Sequence, residues 1–508
     1  MKFSLLYKKY DDNPVQEKSA LDEAMSDTIY DLSIDKAAWE FARSNDSFNY
    51  FMEVIKRPLK NIEDIAYRQS VLMDFMTMPK LLEELRLIFK SYDTLQSDWH
   101  EMRSSVYVYG VPNTARGILD CTYESLKITA GFAKNTVSYF RSIHDTIEKY
   151  QVKSEGLLGI KRFCAEMTEN ESLDEISRIA GCFTRENVDA YEFRVRIETD
   201  DTLTIKSSSL TEANELEDKS LGKSFKKLFG NIGKGPKEAD SSPEVDMGEY
   251  HVEDAQNILN EAIYELYTAL SSITGSIYEF FRGLSGELSF YDTGLRYCRY
   301  ISEAKMPMCL PQMLPMERDE FKANDIYDIQ LIAEGLSADQ IRRNPVRFGR
   351  EYDGLLIRGS NSGGKTCYLR AIATAQIFAQ AGLPVCASAA SISVKNAIFA
   401  QFSSAEKEFS VGDIAGRFEG EVQDMAEILD NMVPYSLVLL NETFQTTAYS
   451  EGTAGIKSIL DVLPALKSKF IFVTHLVQIF GEMDPARVKM LELCSTGEDA
   501  HKIRSYEA

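Results

Sequence analysis

Gly359-Ser-Asn-Ser-Gly-Gly-Lys-Thr366 is the stretch on which the reading of this chain turns. It fits G-x-x-x-x-G-K-[ST], the pattern of a phosphate-cradling P-loop. Glycines let the backbone turn tightly, so that successive N–H groups converge on phosphate oxygens; a lysine reaches the terminal phosphates and a hydroxyl reaches Mg2+. Gly359, Gly363, Gly364, Lys365 and Thr366 are the candidates for those roles.

The flanks suit such a loop. Gly354 to Ile357 reads as a short buried strand entering it, and Tyr368 to Ala381 as a mostly apolar helix leaving it, closed by Gly382 and Pro384. Downstream, two more short apolar runs end in polar chemistry: Ser436 to Leu440 is followed by Asn441-Glu442, and Phe470 to Val473 by Thr474-His475. Their order and spacing suit a parallel sheet. A carboxylate at a strand end can position or deprotonate an attacking water, and a histidine there can hydrogen-bond a γ-phosphate. Glu442, His475 and Lys365 are therefore the candidate catalytic residues, with the Thr366 hydroxyl at the metal position.

Upstream the texture is helical. Asn61 can cap a helix with Asp64 in its first turn, and after Pro79 the residues Leu81, Leu82, Leu85, Ile88 and Phe89 make one apolar stripe. A long helical segment covers roughly Thr114 to Tyr150, with Val137, Phe140, Ile143, Ile147 and Tyr150 on one face. A second runs from Leu259 through Ile263, Leu266, Leu270, Ile273, Ile277, Phe280 and Leu284, in steps of four and three as a coiled-coil seam requires. Gly283 and Gly286 sit at a stutter in that pattern, which reads either as one long arm or as two consecutive helices.

Between the long helices, apolar Phe193, Val195 and Ile197 alternate with charged residues including Arg194 and Arg196, which predicts a β-hairpin at about 191–207. An exposed linker is expected at about 211–246. It holds the most basic run of the chain, with Lys219, Lys223, Lys226, Lys227, Lys234 and Lys237 and with Phe225 and Phe229 interleaved. Lysines with aromatics between them suit contact with nucleic-acid phosphates, and the alternative is an ordinary solvated loop.

The 508 residues carry a formal charge of −22, which opposes indiscriminate adhesion to nucleic acid or anionic membrane but leaves room for a local basic patch. The 8 cysteines are scattered without a C-x-x-C pair and read as reduced thiols. No signal peptide and no run of membrane-spanning length is evident, so a cytoplasmic protein with no membrane partner is expected.

Taken together, these motifs resemble the MutS family of DNA mismatch repair ATPases. The family's loop reads roughly Gly-Pro-Asn-Met-Gly-Gly-Lys-Ser-Thr-Tyr-Leu-Arg, and here it stands as Gly359-Ser-Asn-Ser-Gly-Gly-Lys-Thr-Cys-Tyr-Leu-Arg370, with Asn361 retained. The tract Ser436 to Gly452 resembles the family's Leu-Asp-Glu strand and following loop, and Val473-Thr-His475 resembles its Ala-Thr-His. Phe321-Lys-Ala-Asn-Asp325 is similar to the Phe-x-x-Asn segment whose aromatic stacks on adenine, the alternative being a core aromatic. Arg57 to Gln69 looks like the helical core that precedes the family's lever arms.

Three departures stand out. The family's metal-binding Asp is Asn441, an amide without charge, which implies weaker metal affinity. The signature loop, Gly412 to Gly420, lacks the Ser or Thr that the family sends across a dimer, leaving Arg417 as the candidate trans-acting residue. The chain also begins at the helical core, so a mismatch-reading N-terminal domain, a helix-turn-helix tail and a nuclease domain are not expected.

The resemblance implies a multi-domain protein: an all-α core (1–110), lever-like helices with a small β element (111–310), and an α/β P-loop NTPase domain of the MutS/ABC type (311–508). It implies ATP and Mg2+ as cofactors, a homodimer through the ATPase domains, and DNA as partner, through branched or recombination structures rather than mismatches. The alternative is a nucleotide-binding interaction scaffold with little turnover and a protein ligand.

Overall fold

The computed structural model describes residues 3–9, 20–106, 115–169, 191–199, 205–215, 252–360, 363–402, 414–444, 449–494 and 502–505. They form two compact units. One takes in Glu83–Gln151 and Leu158–Ser285, and the other Phe3–Leu82, Val152–Leu157 and Gly286–Ala508. The helices upstream of the first strand are α1 (Ala20–Asp31), α2 (Ile34–Phe41), α3 (Asn45–Ile55), α4 (Ile62–Thr77), α5 (Pro79–Ser105), α6 (Ala115–Glu148) and α7 (Glu155–Thr168). Asn61 caps α4 by accepting the Glu63 N–H at 2.9 Å.

In the first unit the expected face of α6 is the core face: Phe140, Ile143 and Ile147 are fully buried, and Tyr150 reaches out to Glu84 at 2.9 Å. Aromatic rings hold this unit together. Tyr92 stacks on Phe281 with centroids 3.8 Å apart, and Phe140 meets the same Phe281 at 5.2 Å. Strands β1 (Tyr191–Thr199) and β2 (Ile205–Glu215) pair antiparallel as the alternation predicts. The strand runs further than the sequence suggests: residues 212–215, expected in a linker, are paired, with Ala213 opposite Phe193.

Helix α8 (Val252–Glu303) is one continuous helix of 52 residues, so the glycines at the stutter do not break it. Gly286 serves close approach instead. A Cβ there would lie 2.3 Å from the Tyr50 ring.

The second unit contains the remaining strands and helices: β3 (Gln312–Leu314), β4 (Phe321–Ile326), α9 (Gln330–Ala333), β5 (Asn344–Phe348), β6 (Gly354–Gly359), α10 (Lys365–Gln380), β7 (Ala389–Ser393) and β8 (Ile398–Phe402). They are followed by α11 (Ile414–Asp430), β9 (Leu437–Asn441), α12 (Tyr449–Val462), β10 (Lys469–Val473), α13 (Val477–Glu482), β11 (Val488–Leu493) and β12 (Ile503–Ser505). A four-stranded sheet has the order β3-β7-β4-β5, and a six-stranded sheet the order β12-β11-β6-β10-β9-β8. The six-stranded sheet is parallel except for β12. Its central strands read as unbroken apolar runs because both faces are covered, and every residue of β9 and β10 is buried.

Strand β8 lies at the sheet edge, where unpaired backbone groups are a liability. Helix α1 covers them: the Thr28 hydroxyl donates to Ile398 O at 3.2 Å and accepts from Ala400 N at 3.0 Å, and Asp31 accepts from Phe402 N at 3.2 Å.

Candidate active site

Register brings the candidate residues together. In parallel pairing Val473 stands opposite both Ile357 and Asn441, so β10 and β9 end on one line, which β6 passes by two residues to reach Gly359. Beyond that line the chain emits the glycine loop from β6, Asn441 and Glu442 from β9, and Thr474 and His475 from β10. Thr366 and Asn441, 75 residues apart in sequence, and Lys365 and His475, 110 apart, thus meet at one end of the sheet.

The loop needs its glycines. A Cβ at Gly359 would sit 2.9 Å from Leu493 O, and one at Gly363 would sit 3.1 Å from Ser360 O. Gly364 holds φ +84 at the N-terminus of α10, in the left-handed region that a side chain disfavours. The helix ends as predicted, with Gly382 at φ +75 and the Leu383 N–H returning to Phe378 O at 2.9 Å. Asn361 lies outside the described residues.

Lys365 is the hub. It is buried, and its Nζ donates to Gly359 O at 2.9 Å and Ser360 O at 3.0 Å. The same Nζ lies 3.0 Å from His475 Nε2 and 3.4 Å from Glu442 Oε1. Burial lowers the Lys365 pKa, with Glu442 opposing the shift. Burial also lowers that of His475, and the Lys365 charge adds to the effect. His475 Nε2 also lies 3.1 Å from Glu442 Oε1, and a neutral imidazole either accepts from Lys365 or donates to Glu442 there, according to its tautomer.

Glu442 reaches this cluster through a strained turn. It adopts φ +57 and Phe444 φ +63, both left-handed without being glycine. Two hydrogen bonds fix the turn: Glu442 N donates to Val473 O at 2.9 Å, and Phe444 N to Glu421 Oε2 at 2.8 Å. Thr366 Oγ1 donates to Asn441 Oδ1 at 3.3 Å. Asn441 is fully buried, and its Nδ2 has no partner among the described residues.

The other candidates fall differently. Phe321 is 1% exposed and stacks on Phe348 at 5.6 Å with the rings 4° from parallel, so in this structure it is a core aromatic rather than a ligand-facing one. Its cross-strand neighbours are Phe348 on β5 and Ile392 on β7, both buried. Arg417 falls in the first turn of α11, which begins at Ile414 where a loop was expected, and its side chain lies outside the described atoms. Arg194 and Arg196 lie on β1, opposite Glu212 and Ser209. Lys219, Lys223, Lys226, Lys227, Lys234 and Lys237 lie outside the described residues.

Sequence reasoning missed Glu421, a buried carboxylate in α11. A signal for it exists. Phe418, Met425 and Ile428 mark an apolar stripe, and Glu421 occupies the stripe position between them, where a charge needs a partner. No helix among the described residues is long and apolar enough to cross a membrane, and six cysteines, from Cys164 to Cys494, are free.

The chain is similar in sequence to known proteins. The family description MutS domain V matches residues 355–505, and MutS2 N-terminal domain matches residues 60–304. The chain is 30% identical over 226 residues to the DNA mismatch repair protein MutS of Prochlorococcus marinus (strain NATL2A), covering 43% of this chain and 23% of that protein. It is 32% identical over 155 residues to Endonuclease MutS2 of Ligilactobacillus salivarius (strain UCC118), covering 30% of this chain and 19% of that protein. A longer match, 26% over 316 residues, joins it to the MutS of Microcystis aeruginosa (strain NIES-843 / IAM M-2473), covering 58% of this chain and 36% of that protein. The chain thus spans a minor part of the length of these relatives.

Helices followed by mixed sheets, one of them mainly parallel with a glycine loop at the end of an interior strand, are consistent with the ATPase type of MutS domain V. The chain thus matches two domains of the MutS family.

Proposed function

We propose that this chain binds and hydrolyses ATP and acts on DNA as an ATP-gated dimeric clamp, on branched or recombination structures rather than mismatches. The observation that carries the reading is the convergence of Lys365, Glu442 and His475 on the loop that follows β6. Relatives named for DNA mismatch repair and as an endonuclease support DNA as the partner.

In this reading the loop N–H groups and Lys365 hold the phosphates, and binding them exchanges the Gly359 and Ser360 carbonyls for phosphate oxygens at Nζ. Glu442 orients the attacking water and takes its proton as the Pγ–O bond to ADP breaks, while His475 hydrogen-bonds the γ-phosphate. The donor set fits a divalent cation with neutral ligands: Thr366 Oγ1 and Asn441 Oδ1 already face each other, and both can turn their oxygens to Mg2+. When bound, Mg2+ supplies positive charge against the β- and γ-phosphates.

Two copies would meet through the ATPase domains, with Arg417 entering the partner's site in place of the missing hydroxyl. Segments 1–110, 111–310 and 311–508 would serve as core, lever and ATPase. Arg194, Arg196 and the lysines of 219–237 would face DNA at the lever tip, in a cytoplasmic protein.

A second reading has support in Asn441 and the −22 charge: a nucleotide-binding scaffold with a protein ligand. Steady-state ATP hydrolysis with Mg2+, alone and with single-stranded, duplex and branched DNA, separates them. Turnover that DNA changes and that Lys365→Ala abolishes supports the first. ATP binding without turnover on any DNA overturns it in favour of the scaffold.

A further inference from the structure

We infer that Glu421 is a positioning residue: its buried carboxylate holds the turn that aims Glu442, and so couples helix α11 to the hydrolytic site. This deepens the ATPase reading above and rests on it for its consequence, though not for its geometry.

The turn Asn441–Phe444 contains two left-handed non-glycine residues on either side of Thr443, a conformation that persists only where surrounding bonds over-determine it. The near side is held by β10 through Glu442 N and Val473 O. The far side is held by α11, where Glu421 Oε2 accepts the Phe444 N–H at 2.8 Å. Both side chains are deeply buried, Glu421 at 3% exposure and Phe444 at 4%. The helix is itself fastened at the same residue, because Gln401 Nε2 on β8 donates to Glu421 O at 2.7 Å. A buried bridge therefore runs from β8 through Glu421 to the residue two beyond Glu442.

Its position gives the bridge a role. Glu421 lies four residues after Arg417, one turn along the same helix. A displacement of the first turns of α11, such as contact with a second copy would impose, moves the acceptor of the Phe444 N–H. The Glu442 carboxylate then moves with respect to Lys365 and His475. The expected signature is a change in kcat rather than in nucleotide affinity, because neither Glu421 nor Phe444 belongs to the loop that holds the phosphates.

The test compares Glu421→Met, which keeps volume without an acceptor, with Glu421→Gln, whose amide oxygen still accepts. Residue-resolved amide exchange at Phe444 in the nucleotide-free full chain is the first readout. Met should speed it at least about tenfold, with β10 unchanged, and Gln should restore protection to within about threefold of the native chain. The second readout is hydrolysis: Met should lower kcat about tenfold with KM for ATP within about twofold, and Gln should recover most of it. If Met does not fold, Glu421→Ala takes its place. Unchanged exchange at Phe444 in the acceptor-less variant, or equal loss in Met and Gln, overturns the proposal. A native chain that binds ATP without turnover overturns the ATPase reading and the coupling to it, while the exchange measurement still decides whether Glu421 holds the turn.

Discussion

Glu442 Oε1 lies 3.1 Å from His475 Nε2, and Lys365 Nζ stands within 3.4 Å of both. One lysine thus neutralises the carboxylate and fixes the imidazole, although the three residues come from three separate strand ends. Removing each should have a different effect. Lys365→Ala should weaken ATP binding about a hundredfold, because the phosphates lose their charged donor. Glu442→Gln should leave binding within about threefold and lower kcat by about a hundredfold or more. Equilibrium binding of a fluorescent ATP analogue beside steady-state hydrolysis checks both; equal loss of binding in the two variants would contradict the separate roles.

His475 makes the pH dependence specific. Its folded pKa is lowered from the usual 6.5, first by burial and then by the Lys365 charge. Below pH 6.5 the unfolded chain takes up a proton that the folded chain resists, so stability contributed here is present above that pH and is lost as pH falls toward the folded pKa. His475→Gln should flatten this part of the stability profile. Urea titrations of both proteins between pH 5 and 8 test it, and parallel profiles would count against the geometry.

Much of this site was legible before the structure, and the reason is local. A strand buried on both faces is an unbroken apolar run, so Ser436 to Leu440 and Phe470 to Val473 announce themselves, and parallel register then levels their ends. Gly382 marks the end of α10 for an equally local reason, its positive φ. Long-range partners are a different matter. Nothing in sequence says that Phe321 stacks on Phe348, that Glu421 accepts from Phe444, or that Asp319 pairs with both Lys395 and Lys469. Gly286 misleads in the same way: a helix breaker by propensity, it is a contact point for Tyr50.

Asn441 offers a direct test of the metal position. Restoring a carboxylate with Asn441→Asp should lower the Mg2+ concentration for half-maximal turnover about tenfold, because a charged oxygen replaces an amide oxygen. Without Mg2+ the same change should destabilise the protein, since the site is fully buried and Asn441 Oδ1 now accepts only the Thr366 hydroxyl among the described residues. Thermal unfolding with and without Mg2+ reads this directly: a Tm gap between variant and native protein that Mg2+ does not narrow would argue against a metal at this position.

Glu287 supplies the last test, away from the site, at the anchor of the N-terminal segment. Its carboxyl is fully buried, receiving Ser4 Oγ at 2.5 Å and Leu5 N at 2.6 Å, while Tyr291 OH donates to Leu5 O at 2.6 Å. Burial raises its pKa from 4.5 to about 7, with Ser4, Leu5 and Arg68 opposing the shift. Between those values the folded chain holds a proton that the unfolded chain has lost. Stability from this group is therefore fully present below pH 4.5 and falls as pH rises to about 7, by roughly 3 kcal/mol over the interval. Glu287→Gln keeps an oxygen for the Leu5 N–H and cannot ionise, so its stability relative to the native chain should rise across that window and level off above it. Chemical denaturation at pH 5, 6, 7 and 8 measures the difference. A constant gap across those four pH values would mean that Glu287 is ionised in the folded protein, with Arg68 as its counter-charge.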